Sequence, residues 1–113
     1  MLQSHPKLLN VKSSNGGPYD GWPLLTIAAS NGHNGIMALL IKSGADVNET
    51  NLSSETPLHY AAAHGHGACV QLLLDHKANP NLKSDSGATP LSTALAGNHT
   101  ATADILRNAG AKE

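Results

Sequence analysis

A recurrence of thirty-three residues constrains this chain more than any other feature. Pro57-Leu58 returns as Pro90-Leu91, and Ala28-Ala29 returns as Ala61-Ala62, with Ala94 holding the first position again. Gly32-His33, Gly65-His66 and Asn98-His99 keep the same register. So do Ala45, Ala78 and Ala111, and so do Asn48 and Asn81. Leu39-Leu40, Leu72-Leu73 and Ile105-Leu106 set paired branched aliphatics at equivalent points. Three aligned copies of one short unit describe a stacked array in which each copy leans on its neighbours.

Each copy carries two short helical patterns. In the middle copy the first runs from Pro57 to about His64. Thr56 is placed to accept backbone N–H groups, and Pro57 occupies the first helical position, where its missing N–H is harmless. Leu58, Ala61 and Ala62 share one face by the i, i+3, i+4 rule. Gly65 ends the helix, and His66 leads into the second pattern, roughly Ala68 to His76, whose apolar surface is Val70, Leu72, Leu73 and Leu74. Helices of about two turns do not persist alone. Polar, turn-rich stretches at 46–55 and 79–88 separate the pairs, and Ser53-Ser54 and Ser86-Gly87 read as hairpin tips of projecting fingers.

These residues resemble the ankyrin repeat family. The middle copy carries that family's Thr-Pro-Leu-His signature as Thr56-Pro57-Leu58-His59, followed by Ala61-Ala62, Gly65-His66, Leu72-Leu73-Leu74, Ala78 and Asn81. The last copy keeps Gly87, Thr89-Pro90-Leu91, Ala94, His99, Ile105-Leu106 and Gly110-Ala111; the first keeps Gly21, Leu25, Ala28-Ala29, Gly32-His33 and Gly44 to Asn48. The resemblance implies an all-α solenoid of about three helix-turn-helix repeats with β-hairpin or loop fingers. Its repeats would cover 18–50, 51–83 and 84–113, making an ankyrin repeat domain over 18–113 behind an amino-terminal capping segment and loop at 1–17.

Departures from the pattern carry expectations of their own. Pro23-Leu24 stands where Thr-Pro is usual, so the first inner helix lacks a hydroxyl cap, an omission worth about 0.5–2 kcal/mol. Lys77 sits where Gly44 and Gly110 mark a left-handed helix end, at a cost of roughly 1 kcal/mol. Arg107 and Thr102 replace apolar residues of the earlier copies, giving the last copy the more polar outer face of a terminal repeat. Pro6 to Asn10, with Leu8-Leu9, reads as the remnant of an outer helix over the first repeat, and Ser13 to Gly17 as a lengthened finger.

Composition narrows the function. The formal charge is −1, with seven Lys/Arg residues spread along the chain, a poor surface for neutralising phosphates. No apolar segment reaches membrane-spanning length and no leader pattern opens the chain. One cysteine, Cys69, closes no internal disulfide and suits an intracellular, cytoplasmic setting. The Asn-X-Ser/Thr tripeptides at Asn48, Asn51 and Asn98 are read as chance matches. His59, His64, His66 and Cys69 form the densest reactive cluster. Yet His59 and His66 belong to the repeat pattern, His66 as a stitch in the turn between helices, and Cys69 takes the place of Ile36, an aliphatic core position. No catalytic, cofactor-binding or metal residues are assigned, and the chain is expected not to be an enzyme.

The resemblance implies a protein-protein interaction module, with the partner lying across the fingers and the inner helices. The surface carried over to this chain is Tyr19, Asp20 and Trp22; Leu52, Ser53, Glu55, Tyr60, Ala63 and His64; and Asp85, Ser86, Ala88 and Thr93. Trp22 and Tyr60 hold nearly all the aromatic area, the kind of side chain that anchors interfaces; Trp22 packed on Pro18 and Tyr19 is the structural alternative. Asp20, Glu55 and Asp85 favour a partner with a basic patch, and self-association is a further possibility. The competing reading is a structural or targeting subunit, or a fragment of a larger assembly.

Overall fold

The computed structural model describes residues 21–112. Among these residues six helices follow one another in three antiparallel pairs: α1 (Leu24–Ser30) with α2 (Asn34–Lys42), α3 (Pro57–Ala63) with α4 (Gly67–Asp75), and α5 (Pro90–Ala96) with α6 (Thr100–Asn108). The inner helices α1, α3 and α5 pack in succession, and the outer helices α2, α4 and α6 do the same behind them. The expected amino-terminal segment 1–17 lies outside the described residues.

The columns of the sequence become layers of core. Leu25, Leu58 and Leu91 are fully buried on the inner row, as are Leu73 and Leu106 on the outer row, where Leu40 is buried to all but 5%. Met37, Val70 and Ala103 fill the next column with steadily smaller side chains, all without solvent contact. Each fully buried leucine contributes about 1.5–3 kcal/mol. That packing, not helix propensity, holds elements of seven and nine residues.

Local chemistry sets where the helices begin and end. Thr56 Oγ1 accepts the His59 N–H at 3.3 Å, and His59 Nδ1 accepts the Thr56 N–H at 3.0 Å. Thr89 and Ser92 repeat this reciprocal cap. Glu or Gln usually closes such a box; here histidine and serine do. At Pro23 no side chain caps α1. Every helix ends on a left-handed residue followed by a backbone bond that reaches five residues back. His33, His66 and His99 N–H groups donate to Ala28, Ala61 and Ala94, and Ala45, Ala78 and Ala111 to Leu40, Leu73 and Leu106.

The left-handed seats fall in three columns of period thirty-three, each with two glycines and one substitute. Gly32 and Gly65 share theirs with Asn98 (φ 60°), Gly44 and Gly110 with Lys77 (φ 72°), and Gly21 and Gly87 with Ser54 (φ 60°). Lys77 has the left-handed conformation expected of it; the sequence marks Ser54 only as part of a hairpin tip.

Histidines link one copy to the next. His66 Nε2 lies 3.2 Å from the Ser30 carbonyl oxygen, and His99 Nε2 lies 3.1 Å from that of Ala63. The side chain of His66 therefore joins neighbouring repeats, and only its backbone N–H serves the turn. Asparagines do the same at the outer edge: Asn48 Oδ1 accepts the Asn79 N–H, and Asn81 Oδ1 accepts the Lys112 N–H, both at 2.9 Å.

Two expected exposures are reversed. The repeat pattern makes Ile36 a core position and Thr102 part of a polar outer face. Ile36 is 53% exposed, whereas Cys69 and Thr102 in the same column are 1% and 3% exposed. That column faces the preceding copy, so it is covered in the second and third repeats. Arg107 is exposed and paired with Asp104.

Candidate functional site

Among the described residues the two fingers are compact loops, each closed across its base by a backbone bond, and not two-stranded ribbons. Asn51 N–H donates to Glu55 O at 3.0 Å, and Ser84 N–H to Ala88 O at 2.9 Å. Asn51 organises the first of these from inside. Its Oδ1 accepts the N–H groups of Ser53 and Glu55, each at 3.0 Å. Its Nδ2 donates to Glu55 Oε1 at 3.1 Å and to the Tyr60 hydroxyl at 3.2 Å. The side chain is buried and its amide is fully engaged. Ser84 takes the same place in the next finger with a smaller set, Ser86 Oγ and the Ala88 N–H.

This frame positions an aromatic pair. Tyr60 donates its hydroxyl to Glu55 Oε1 in a short hydrogen bond. Its ring stacks against Trp22 of the preceding repeat, with centroids 4.2 Å apart and planes tilted by 39°. Offset contact of this kind adds about 0.5–1.5 kcal/mol beyond the area it buries. Burial first, and then the bond to the Glu55 carboxylate, push the Tyr60 phenol up to about 12. Its hydroxyl therefore stays a donor at all physiological pH. Both rings remain partly exposed, so Trp22, Tyr60 and Glu55 form a half-open aromatic platform with a carboxylate at its edge.

The other expected site residues are distributed around that platform. Leu52 lies across Gly21 with 74% of its surface free; a Cβ on Gly21 would meet Leu52 Cγ at 2.6 Å. Ser53 and Asp85 join neighbouring fingers, the Asp85 N–H donating to Ser53 O at 3.0 Å. Ser86 is exposed on the third finger. The Ala88 carbonyl accepts from His59 Nε2 at 2.9 Å. Thr93 engages its hydroxyl with Pro90 O at 2.7 Å. Ala63 is half-buried at the end of α3. His64 stands apart: its ring is 5.8 Å from that of His66, at the end of α3 away from the fingers. Tyr19 and Asp20 lie outside the described residues, as does the expected packing of Trp22 on Pro18 and Tyr19.

The reactive side chains are otherwise occupied. His59 uses both ring nitrogens, and burial lowers its pKa against the opposing pull of the Ala88 carbonyl. Burial pushes the Cys69 thiol up, and its Sγ donates to Asn34 Oδ1. A thiol so placed is a poor nucleophile. Among the described residues no group of three His, Cys, Asp or Glu side chains is arranged to hold a metal ion. Among them, too, no helix is long and apolar enough to cross a membrane.

Asn51, which frames the finger and meets Tyr60, is the residue of this arrangement that sequence reasoning missed. It appeared there only within a tripeptide, and the signal that singles it out is its place at the base of a finger five residues before a Thr-Pro cap.

A family model described as ankyrin repeats (three copies) matches residues 5–84 and 25–113 of the chain. No curated protein matches it.

Proposed function

We propose, from the premise that this chain belongs to the ankyrin repeat family, that it holds a basic segment of another protein across its fingers and inner helices. Ankyrin repeats generally mediate protein-protein interactions; the surface and the partner chemistry are the proposal. The stacked Trp22–Tyr60 pair with Glu55 at its edge is the observation that carries the reading. An arginine or lysine side chain laid against the exposed part of the Tyr60 ring gains cation–π attraction, and the Glu55 carboxylate adds a charge of the right sign. Leu52 and the fingertips Ser53, Asp85 and Ser86 would extend the contact, and Asp85 adds a second acidic group. A complete footprint fits a standard interface of about 800 Å² per partner. An intracellular location agrees with a single, buried, unpaired thiol.

The test is affinity capture with the wild-type chain, with Trp22→Ala/Tyr60→Ala and with Glu55→Gln, after circular dichroism has shown all three folded. The double variant should lose a protein that the wild type retains, and Glu55→Gln should weaken its capture most at low salt. Equal capture by all three moves the binding surface elsewhere.

A further inference from the structure

The half-buried Glu55 carboxylate presents its two oxygens unequally. Oε1 accepts from Asn51 Nδ2 at 3.1 Å and from the Tyr60 hydroxyl. Two donors occupy both lone-pair sites of that atom. No hydrogen bond from a described residue reaches Oε2. Asn51 Oδ1 in turn holds the Ser53 and Glu55 N–H groups, so the finger fixes which oxygen is taken and which is offered.

We infer that the platform selects lysine over arginine as the basic anchor of its partner; the inference rests on the reading proposed above and names the side chain which that reading left open. Direction adds to the count of oxygens. A phenol O–H lies near the plane of its ring, so the carboxylate that accepts it stands at the ring's edge and close to its level. Tyr60 meets Trp22 on one side and keeps part of its ring exposed. A guanidinium stacked flat on that part holds its N–H groups in a plane parallel to the ring, and they point past the carboxylate. Its other advantage, the fork that grips two carboxylate oxygens, finds only one open. An ammonium carries three diverging donors on a flexible stem and can aim one at Oε2 while its charge stays over the ring. Leu52, 74% exposed and lying across Gly21, supplies apolar surface for the stem.

Trp22 is the only tryptophan, so its emission in the full chain reports on the platform. The probes are two end-blocked pentapeptides, Gly-Gly-Lys-Gly-Gly and Gly-Gly-Arg-Gly-Gly, titrated at low salt. The lysine peptide should bind about threefold more tightly, and Glu55→Gln should abolish the difference. Tyr60→Phe keeps the ring but removes one donor from Oε1, returning a second acceptor to the fork; the arginine peptide should then draw level or lead. Equal affinities for the wild type, or tighter arginine binding, would overturn the selection and leave a basic partner standing. A lysine preference unchanged in folded Glu55→Gln or Tyr60→Phe would also overturn it. No response to either peptide, from a wild-type chain folded by circular dichroism, would remove the basic-segment reading and the selection with it. The wild-type comparison decides even where a variant fails to fold.

Discussion

His59 and Ala88 are twenty-nine residues apart in sequence and 2.9 Å apart in space, imidazole Nε2 to carbonyl oxygen. The bond requires a proton on Nε2, while Nδ1 accepts the Thr56 N–H. One neutral tautomer thus joins the cap of the second inner helix to the third finger. A proton added to Nδ1 would set two N–H groups against each other. Burial lowers the folded pKa of His59 below the ordinary 6.5. Below pH 6.5 the unfolded chain therefore binds a proton that the folded chain refuses, and stability falls until the pH passes the folded value. Denaturant titrations at pH 7.5 and 5.5 should show this loss. His59→Asn should be less stable at pH 7.5 and lose less on acidification.

Lys77→Gly should stabilise the fold by about 1 kcal/mol, because it relieves a left-handed lysine where two sister repeats use glycine. Asn98→Gly should change stability by only a few tenths, since asparagine tolerates this conformation. Urea midpoints rank the two. A lower midpoint for Lys77→Gly would contradict the left-handed assignment.

Thr26 is fully buried and its hydroxyl is the one described side-chain group that is buried with no hydrogen-bond partner. Its column mates His59 and Ser92 close capping boxes, but Pro23 offers Thr26 no N–H and no hydroxyl to meet. Thr26→Val keeps the shape and removes the unsatisfied group, so it should gain about 1 kcal/mol. Calorimetry should show a raised midpoint; a loss would mean that the hydroxyl has a partner in solution.

Gly65→Ala should be among the most damaging single methyl additions in the chain. Its φ is 68°, and the new Cβ would stand 2.4 Å from His99 Nδ1. Gly87→Ala meets the same kind of strain at φ 84° with nothing within 4 Å, so its cost should stay near 1–2 kcal/mol. The excess at Gly65 should shrink in Gly65→Ala/His99→Ala, which removes the obstructing ring. Equal losses for Gly65→Ala and Gly87→Ala would show that the ring simply swings aside.

Most of the architecture was legible because the period is carried by residues with strong local rules. Thr56-Pro57 and Thr89-Pro90 announce helix starts, and Gly32, Gly65, Gly44 and Gly110 announce ends. The helix bounds read from the middle copy fall within one residue of α3 and α4. What the period hides is direction. It makes Ile36, Cys69 and Thr102 equivalent, yet their burial depends on which copy stands in front. Nor does it distinguish a left-handed Ser54 from an ordinary turn serine, because the tolerated substitute has no signature of its own. At the candidate site, Trp22 and Tyr60 were each legible as partner-surface residues, with structural packing the alternative for Trp22, but the contact between the two rings spans two repeats. The role of Asn51 depends on three hydrogen-bonding partners that become neighbours only after the finger closes.

The backward reach of the histidines also bears on how such a chain changes length. Each ring finds its acceptor in the copy just before it, at a fixed offset of thirty-six residues. A whole unit duplicated between the second and third would bring both a ring and an acceptor, and every seam would remain of a kind already present. A fractional insertion inside an inner helix would shift ring from acceptor on one side of the break. Growth by entire units is therefore the change this construction accommodates most readily.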